Sequence, residues 1–527
     1  MFAKRRDTGL AMRRNGHDRS LRNPRFAVAL AELVLLAAWL TIGFTPSAQA
    51  LPSFARQTGQ PCGTCHTDYP ALTPFGRRFK LLGYTTGGGQ FRTTPFSSNE
   101  AQNVRAEYNK LLGYAETVKA PPLPLVDADS KEWVPPISAM AIIGFTHTQA
   151  DQPSPQDPLN PNNNIVYSPF SMFWGGAITN NIGAFAQVTY NNPGSVAAPT
   201  PTTSPFVHTW TWDNADVRFA GTANIGWLDF VYGITANNNP SVQDLWNTTP
   251  AWSFPYAVST VAPTPGAGTV IEGAFAAHVG GVGAYTMIND LLYLEVTGYK
   301  TLPFSAQNAL GTDPFGAPGL LGNASPYWRV ALEPHWGRNT LMIGTFGMYS
   351  EIHPWLNIAP IGWSTAVDTL ADKFTDIGFD SQYQYQGDNY WVTLRGSYIR
   401  EYQRLDSSFA SLAAFNQTNL LNSAKLQASL ALGADNRLVL TGQYFSVWGT
   451  PDVNLYSAAN GFANNVPNSN GFMMEIAYIP YGVSKSFGWP WFNARIGLQY
   501  IYYNKFNGTT VAAQDNNTLF LHTWLAF

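Results

Sequence analysis

Residues 518–527 read TLFLHTWLAF, and this ending decides the fold. The apolar residues Leu519, Leu521 and Leu525 alternate with other side chains as far as the aromatic carboxyl-terminal residue, Phe527. Successive side chains of a β-strand point to opposite faces, so this stretch predicts a strand with one apolar face. A last strand of this kind, closing on an aromatic residue, is a common ending of bacterial outer-membrane barrels.

The same two-residue period recurs upstream, in stretches of about ten residues that begin near Ile137. In one of them Leu292, Leu294 and Val296 alternate with more polar side chains, and similar patterns span 392–398 and 493–500. One parity suits lipid and the other suits a wet lumen. A soluble β-sandwich alternates too, but its apolar parity faces a core, and so many strands would need several such domains.

Turn-forming residues separate these stretches in two ways. Tight turns are predicted at 180–181, 289–290, 337–339, 387–389 and 433–436. Long loops are predicted near 150–166, 191–206, 238–267, 301–325, 352–371, 403–419, 449–469 and 505–517. Short turns on one rim and long loops on the other are typical of outer-membrane barrels. Residues 137–527 are therefore predicted to form a mainly β, antiparallel, porin-like barrel of about sixteen strands with periplasmic termini.

The composition excludes other classes. Only 12% of the residues are charged and 14% are aromatic, whereas about a quarter of a soluble domain is charged. A mean hydropathy of -0.12 is too low for a bundle of membrane helices, and the aromatic content is too high for a disordered chain.

Residues 1–50 have the order of a leader. Basic residues crowd the first 25 positions, an apolar run spans 26–44, and Ala48-Gln49-Ala50 follows. This order predicts a secretory signal peptide cleaved after Ala50; a membrane anchor is the alternative, although Glu32 interrupts the run. Without residues 1–50 the chain holds 22 basic and 30 acidic residues. Nucleic acid is therefore not an expected partner, and no segment marks an oligomer interface.

The two cysteines lie together in Pro61-Cys62-Gly63-Thr64-Cys65-His66. In an exported protein this spacing could form a disulfide, a redox dithiol or half of a zinc site, but Cys-x-x-Cys-His is the attachment sequence of haem c. Two thioethers would fix the porphyrin edge, and His66 would bind the iron. The sequence thus predicts one covalent haem c, held by Cys62, Cys65 and His66 within a domain of residues 51–120.

Cations flank this motif. Arg56 and Arg77 are candidate partners of the haem propionates, since arginine pairs with carboxylates in a forked geometry. The alternative for each is an ordinary solvated surface residue. A helix is predicted near 99–119, and a proline-rich linker at 121–136 leads to the barrel.

An electron-transfer haem usually has a second axial ligand besides the histidine of its attachment motif. Electron carriers usually use histidine or methionine, and residues 67–139 contain neither. Met140 comes next and has lumenal parity in the first predicted strand, with the shortest tether to the haem segment. A methionine that only fills a gap is the alternative. His278, Met473 and His522 are the other candidates on lumenal parities.

The run FARQTGQPCGTCH followed by TPFGRRFKLLGY, ahead of a porin-like barrel, resembles the fused monohaem cytochrome–porin family of bacterial outer membranes. The resemblance is specific over 51–84 and architectural over the barrel. It implies Cys62 and Cys65 as thioether residues, His66 as proximal ligand, and a haem domain lodged in or under the barrel. Studied members of that family oxidise extracellular ferrous iron.

Three functions follow as hypotheses. The first is an outer-membrane conduit that oxidises extracellular Fe(II) and passes electrons to a periplasmic c-type cytochrome. The second is the same conduit with another donor or with outward electron flow, and the third is a diffusion porin with a structural haem plug. Six loop aspartates could attract ferrous iron weakly or could simply form turns: Asp151, Asp157, Asp244, Asp313, Asp368 and Asp452.

Overall fold

The computed structural model describes residues 52–85, 136–152, 160–190, 210–358, 362–433, 435–484 and 488–527. The predicted leader, the helix near 99–119 and nearly all of the linker lie outside these residues. No helix in the described part of the chain has the length and apolarity needed to cross a membrane.

The described residues contain sixteen long strands that form one closed antiparallel barrel. Each strand pairs with its sequence neighbours, and the last pairs with the first, with Phe520 opposite Thr146 and His522 opposite Gly144. The prediction of an antiparallel barrel of about sixteen strands is confirmed. The strands are β1 Ile137–Thr148, β2 Asn164–Ala177, β3 Ile182–Tyr190, β4 Trp210–Ile225, β5 Leu228–Asn237, β6 Val279–Ile288, β7 Leu292–Thr301, β8 Ser325–Leu332, β9 Asn339–Ile358, β10 Asp372–Gln386, β11 Tyr390–Leu405, β12 Thr418–Leu432, β13 Leu438–Gly449, β14 Ser469–Tyr478, β15 Asn493–Lys505 and β16 Thr518–Ala526.

Alternation along the strands separates an apolar outer surface from a polar interior. In β7, Leu294 and Val296 are exposed, whereas Tyr293, Glu295 and Thr297 are buried. Eight charged side chains that the alternation assigns to the lumen lie on the inner side and are buried: Glu295, Arg329, Glu333, Asp376, Asp380, Arg395, Glu475 and Arg495. An apolar exterior around a closed barrel leaves no unpaired strand edge in lipid, so this surface is that of a membrane protein.

The two rims differ as predicted. Long connections follow β1, β3, β5, β7, β9, β11, β13 and β15, and short ones follow most of the other strands. The exception is the connection between β14 and β15, residues 479–492, which the turn pattern did not reveal. We call the two ends the long-loop rim and the short-turn rim.

Three helices belong to the segment of residues 52–85, which we call the motif segment. They are α1 Pro52–Thr58, α2 Cys62–Cys65 and α3 Pro74–Leu81, and a two-stranded ribbon joins His66–Asp68 to Ala71–Leu72. The segment contacts β1, β2, β4, β10 and β15 through hydrogen bonds or ion pairs. Contacts with strands all round the barrel place it inside the lumen.

The connection between β5 and β6, residues 238–278, folds inward and is called the inner loop. Trp246 is completely buried, and its carbonyl accepts hydrogen bonds from Gln382 of β10 and Arg395 of β11. The carbonyl of Ala257 accepts one from Gln499 of β15. The inner loop therefore crosses the lumen from the wall where it begins to the opposite strands.

Candidate functional site

The Cys-x-x-Cys-His motif is held by close backbone packing. The Gly63 amide donates to the Val483 carbonyl at 2.7 Å, and a Cβ at position 63 would lie 2.8 Å from a Val483 methyl. A Cβ on Gly76, in the first turn of α3, would lie 2.2 Å from the Cys65 carbonyl oxygen. Glycine at both positions lets α2 approach the short-turn rim and α3 approach α2.

Thr73 links the motif to the next helix. Its hydroxyl donates to the Thr64 carbonyl and accepts from the Gly76 amide at 3.1 Å, so it is the N-cap of α3. A threonine N-cap satisfies an amide that the first helical turn leaves unpaired. The consequence is a fixed relation between the motif in α2 and the side chains of α3.

Cys62, Cys65 and His66 line one cavity of about 340 Å³ inside the barrel. Met140 of β1 lines the same cavity. Much of the remaining wall is aromatic, from the motif segment, strands β2 and β3, and the inner loop: Phe54, Phe79, Tyr84, Phe173, Phe185 and Trp252. An apolar cavity with a few convergent polar groups is typical of a cofactor site.

The protonation of the motif fits a metal ligand. Burial lowers the pKa of His66 to about 4, so its imidazole is neutral near pH 7, as metal binding requires. Its Nδ1 is buried without a hydrogen bond of normal geometry. His66 therefore presents a neutral imidazole to the cavity, which is the form in which histidine binds a metal.

The cysteines do not have the properties of a redox dithiol. Burial, followed by the neighbouring Cys62, raises the pKa of the Cys65 thiol to about 12, whereas reactive dithiols need a lowered pKa. Burial also raises the pKa of Cys62, and both thiols are free. Among the described residues, no group of three or more histidine, cysteine, aspartate or glutamate side chains could hold a metal ion. Two free thiols and a neutral imidazole that line one cavity are compatible with covalent attachment of haem c.

The two predicted propionate partners lie outside this cavity. Arg77 is buried against the barrel wall, where it pairs with Glu333 at 2.8 Å and donates to Gln384 at 2.7 Å. Arg56 donates to the Ile137 carbonyl at 2.6 Å and lies over the ring of Trp491. Neither side chain is among those that line the cavity.

Two other cations line it. The Lys80 ammonium donates to the carbonyls of Val242 and Asp244, both at 2.7 Å, and lies 4.8 Å from the Trp252 ring. Burial lowers the pKa of Lys80 to about 7. Arg495 also lines the cavity. Sequence reasoning missed both residues as cavity cations, because the contacts that place them join residues far apart in the chain.

The candidate axial ligands occupy different places. Met140 packs beside Phe79, Phe173 and Phe185 in the cavity wall. The Nδ1 atom of His278 is hydrogen-bonded to Gln307 at 3.0 Å, and the Nε2 atom of His522 is hydrogen-bonded to Glu475 at 3.4 Å. Met473 lies in a separate apolar cluster. None of these three lines the cavity.

Buried ion pairs fasten the motif segment to the barrel. Arg495 of β15 reaches both Asp68, two residues after His66, and Glu475 of β14. Tyr84 donates to Asp216 of β4 at 2.8 Å. Because breaking such buried pairs is costly, the motif segment is fixed in position.

The loop aspartates serve mainly as local anchors. Asp244 is buried in the inner loop, where it accepts three backbone amides and pairs with Arg329, so its expected place at the outer mouth is wrong. Asp313, Asp368 and Asp452 accept backbone amides within or between loops. Asp151 is exposed, and Asp157 lies outside the described residues.

No family model and no curated protein sequence matches this chain. Among solved structures, it is similar to the outer-membrane channel DcaP of Acinetobacter baumannii, at 11% identity and a TM-score of 0.42, over 74% of this chain and 96% of that one. Salmonella typhi OmpF in complex with daunomycin matches at 10% identity and a TM-score of 0.41, over 74% and 97%. The anion-selective porin from Comamonas acidovorans matches at 11% identity and a TM-score of 0.40, over 74% and 99%.

Proposed function

We propose that this chain is an outer-membrane cytochrome whose barrel holds one haem c and carries electrons between the exterior and a periplasmic c-type cytochrome. Extracellular Fe(II) is the proposed donor. The observation that carries the proposal is that Cys62, Cys65, His66 and Met140 line one apolar cavity inside a closed barrel. Haem c would supply reversible one-electron oxidation and reduction at that place.

The residues around the cavity have separate roles in this proposal. Cys62 and Cys65 would hold the haem covalently, and His66 and Met140 would be the residues that bind its iron. The aromatic wall would exclude water from the cavity, and Arg495, together with Lys80 in its protonated form, would be the cations available to the haem propionates. A thioether ligand and exclusion of water both favour a high reduction potential.

The position of the motif segment supports a periplasmic acceptor. Gly63 bonds to Val483 in the connection between β14 and β15, and Arg78 pairs with Asp290 in the turn between β6 and β7. Both contacts lie at the short-turn rim, which is the periplasmic rim in barrels of this kind. A partner cytochrome would therefore approach from that side, and a small donor would enter through the lumen from the long-loop rim.

A diffusion porin with a structural haem plug is the second candidate. The size of the barrel favours it, because barrels of 16–18 strands commonly leave an aqueous channel. The filling of this lumen speaks against it, because the motif segment and the inner loop both bind the inner wall. Electron transfer across the membrane without diffusion of small solutes would distinguish the conduit from the porin.

The test uses the mature protein in sealed proteoliposomes that contain an oxidised c-type cytochrome. Fe(II) added outside should reduce the enclosed cytochrome, and Cys62→Ala with Cys65→Ala should abolish this reduction while the barrel still assembles. Vesicle swelling in small sugars is the parallel assay. Rapid swelling without cytochrome reduction would establish the porin and reject the conduit. Reduction by another donor but not by Fe(II) would keep the conduit and reject only Fe(II) as its donor.

A further inference from the structure

Two carboxyl groups face each other in the barrel wall beneath the inner loop. Asp376 of β10 lies directly opposite Glu401 of β11 in the strand register. Both side chains point inward and are completely buried. Neither oxygen of Asp376 has a hydrogen-bond donor of normal geometry, although the Ile271 amide of the inner loop approaches it, and the Glu401 carboxyl group lies against it. An ionised pair in this setting would have little to offset its repulsion.

The inner loop rests on this pair. The amide of Val270 donates to one oxygen of Glu401 at 2.5 Å, and the Gln403 side chain donates to the other at 2.6 Å. The neighbouring Ile271 and Phe275 are buried in an apolar cluster with residues of the barrel wall. Glu401 is therefore a direct anchor for the part of the inner loop around residues 269–275.

Other charged groups act on the pair. Glu272 of the inner loop adds a third carboxylate. Lys425 of β12 forms an ion pair with it at 2.9 Å, and the Ser423 hydroxyl donates a hydrogen bond to it. Tyr456, on the long-loop rim, is within electrostatic reach of Glu401. With Lys425 committed to Glu272, the cluster is short of positive charge.

A shared proton compensates this lack of positive charge better than a bound metal ion would. Two adjacent carboxyl groups in a dry site cannot both ionise at ordinary pH, because desolvation and mutual repulsion act together. The groups that approach Glu401 are N–H donors, which suit a carboxylate and would repel a cation.

We propose that Asp376 and Glu401 share one proton and form a pH-sensitive latch for the inner loop. With the proton present, the pair is singly charged and Glu401 keeps its bond to Val270. When the pH rises enough to remove the proton, two buried negative charges face each other, and the inner loop around 269–275 is released. The folded latch thus binds one more proton than the open form, so opening increases with pH.

Hydrogen exchange on the full chain in lipid nanodiscs tests this latch. In the wild type, the protection of peptides covering 268–276 should fall about tenfold per pH unit over the range in which the open form has ionised and the closed latch still holds its proton, because one proton is released per opening. This fall is measured after correction for the intrinsic pH dependence of exchange. Asp376→Asn and Glu401→Gln should each remove the dependence, since neither variant can place two charges together.

Asp372→Asn is the matched control. Asp372 is on the same strand and is also buried, but it accepts amides from Ser407 and Ser408 and lacks an opposed carboxylate. The control variant should keep the wild-type pH dependence. Constant protection in the wild type between pH 5 and pH 10, or an unchanged dependence in both folded variants, would overturn the latch. Heat-modifiable migration on gels confirms that each barrel has folded.

Discussion

Replacing Arg495 with methionine should loosen the motif segment more than removal of an exposed arginine does. Arg495 is 2% exposed and bridges two carboxylates, Asp68 and Glu475, with side-chain exposures of 6% and 2%. Glu475 keeps Gln499 at 3.0 Å as a partner after the change, whereas Asp68 loses its ion pair. Removal of one partner from a buried ion pair costs about 3–5 kcal/mol.

That cost should appear first as local release of the motif segment. At 1.4 kcal/mol per factor of ten, it corresponds to an opening that is about a hundredfold to a few thousandfold more frequent. In haem-free protein, the alkylation rate of the partly buried Cys62 and Cys65 thiols reports this opening. Urea unfolding followed by tryptophan fluorescence measures the global effect in parallel.

Arg437→Met is the control for Arg495→Met. Arg437 also pairs with an aspartate, Asp435, but its side chain is 49% exposed, and such surface pairs contribute about 0–1 kcal/mol. The destabilisation caused by Arg495→Met should be smaller at low pH, because protonation neutralises the carboxylates that the substitution leaves unpaired. Equal alkylation rates in the two variants would refute the idea that this ion pair fixes the motif segment.

Three further predictions concern the haem and the barrel. Cys62→Ala or Cys65→Ala should diminish or abolish the haem-stained band that survives boiling on a denaturing gel; a colourless wild-type protein would reject haem attachment. Met140→Ala should remove the weak charge-transfer band of methionine-ligated ferric haem at the edge of the near infrared and lower the potential, and an unchanged spectrum excludes this ligand. Val296→Arg, at mid-strand on the lipid face, should cost about 2–4 kcal/mol in urea unfolding from vesicles. Leu294→Arg, on the same lipid-facing parity, should also be destabilising, and equal tolerance of arginine at lipid-facing and lumenal positions would contradict the orientation of β7.

The strands could be predicted because each carries its own signal. β1 begins at Ile137, where the alternating pattern begins, and ends at Thr148 before a predicted long loop. Side-chain parity also predicted correctly that Met473 and His522 face inward, since both are buried. A period of two residues needs no knowledge of distant contacts, which explains why the barrel was accessible from the sequence.

The inner loop and its partners could not be predicted in the same way. Residues 238–267 had the composition of a long outer loop, and nothing local distinguishes a loop that folds inward. Arg77 illustrates the difficulty, because its partners Glu333 and Gln384 lie 256 and 307 residues away. Residue type indicated a carboxylate partner for this arginine, but only the fold shows that Glu333 of the wall takes that place.

The inner loop connects the two proposals about this molecule. Lys80 of the motif segment bonds to the inner-loop carbonyls of Val242 and Asp244, so one part of the loop forms a wall of the cavity. Another part rests on Glu401 through Val270. Release of the latch would therefore widen the lumen above the cavity while the separate bonds to Lys80 still hold. An electron donor that must enter the lumen would then reach the cavity faster at high pH, and Asp376→Asn would remove that acceleration without changing the haem spectrum.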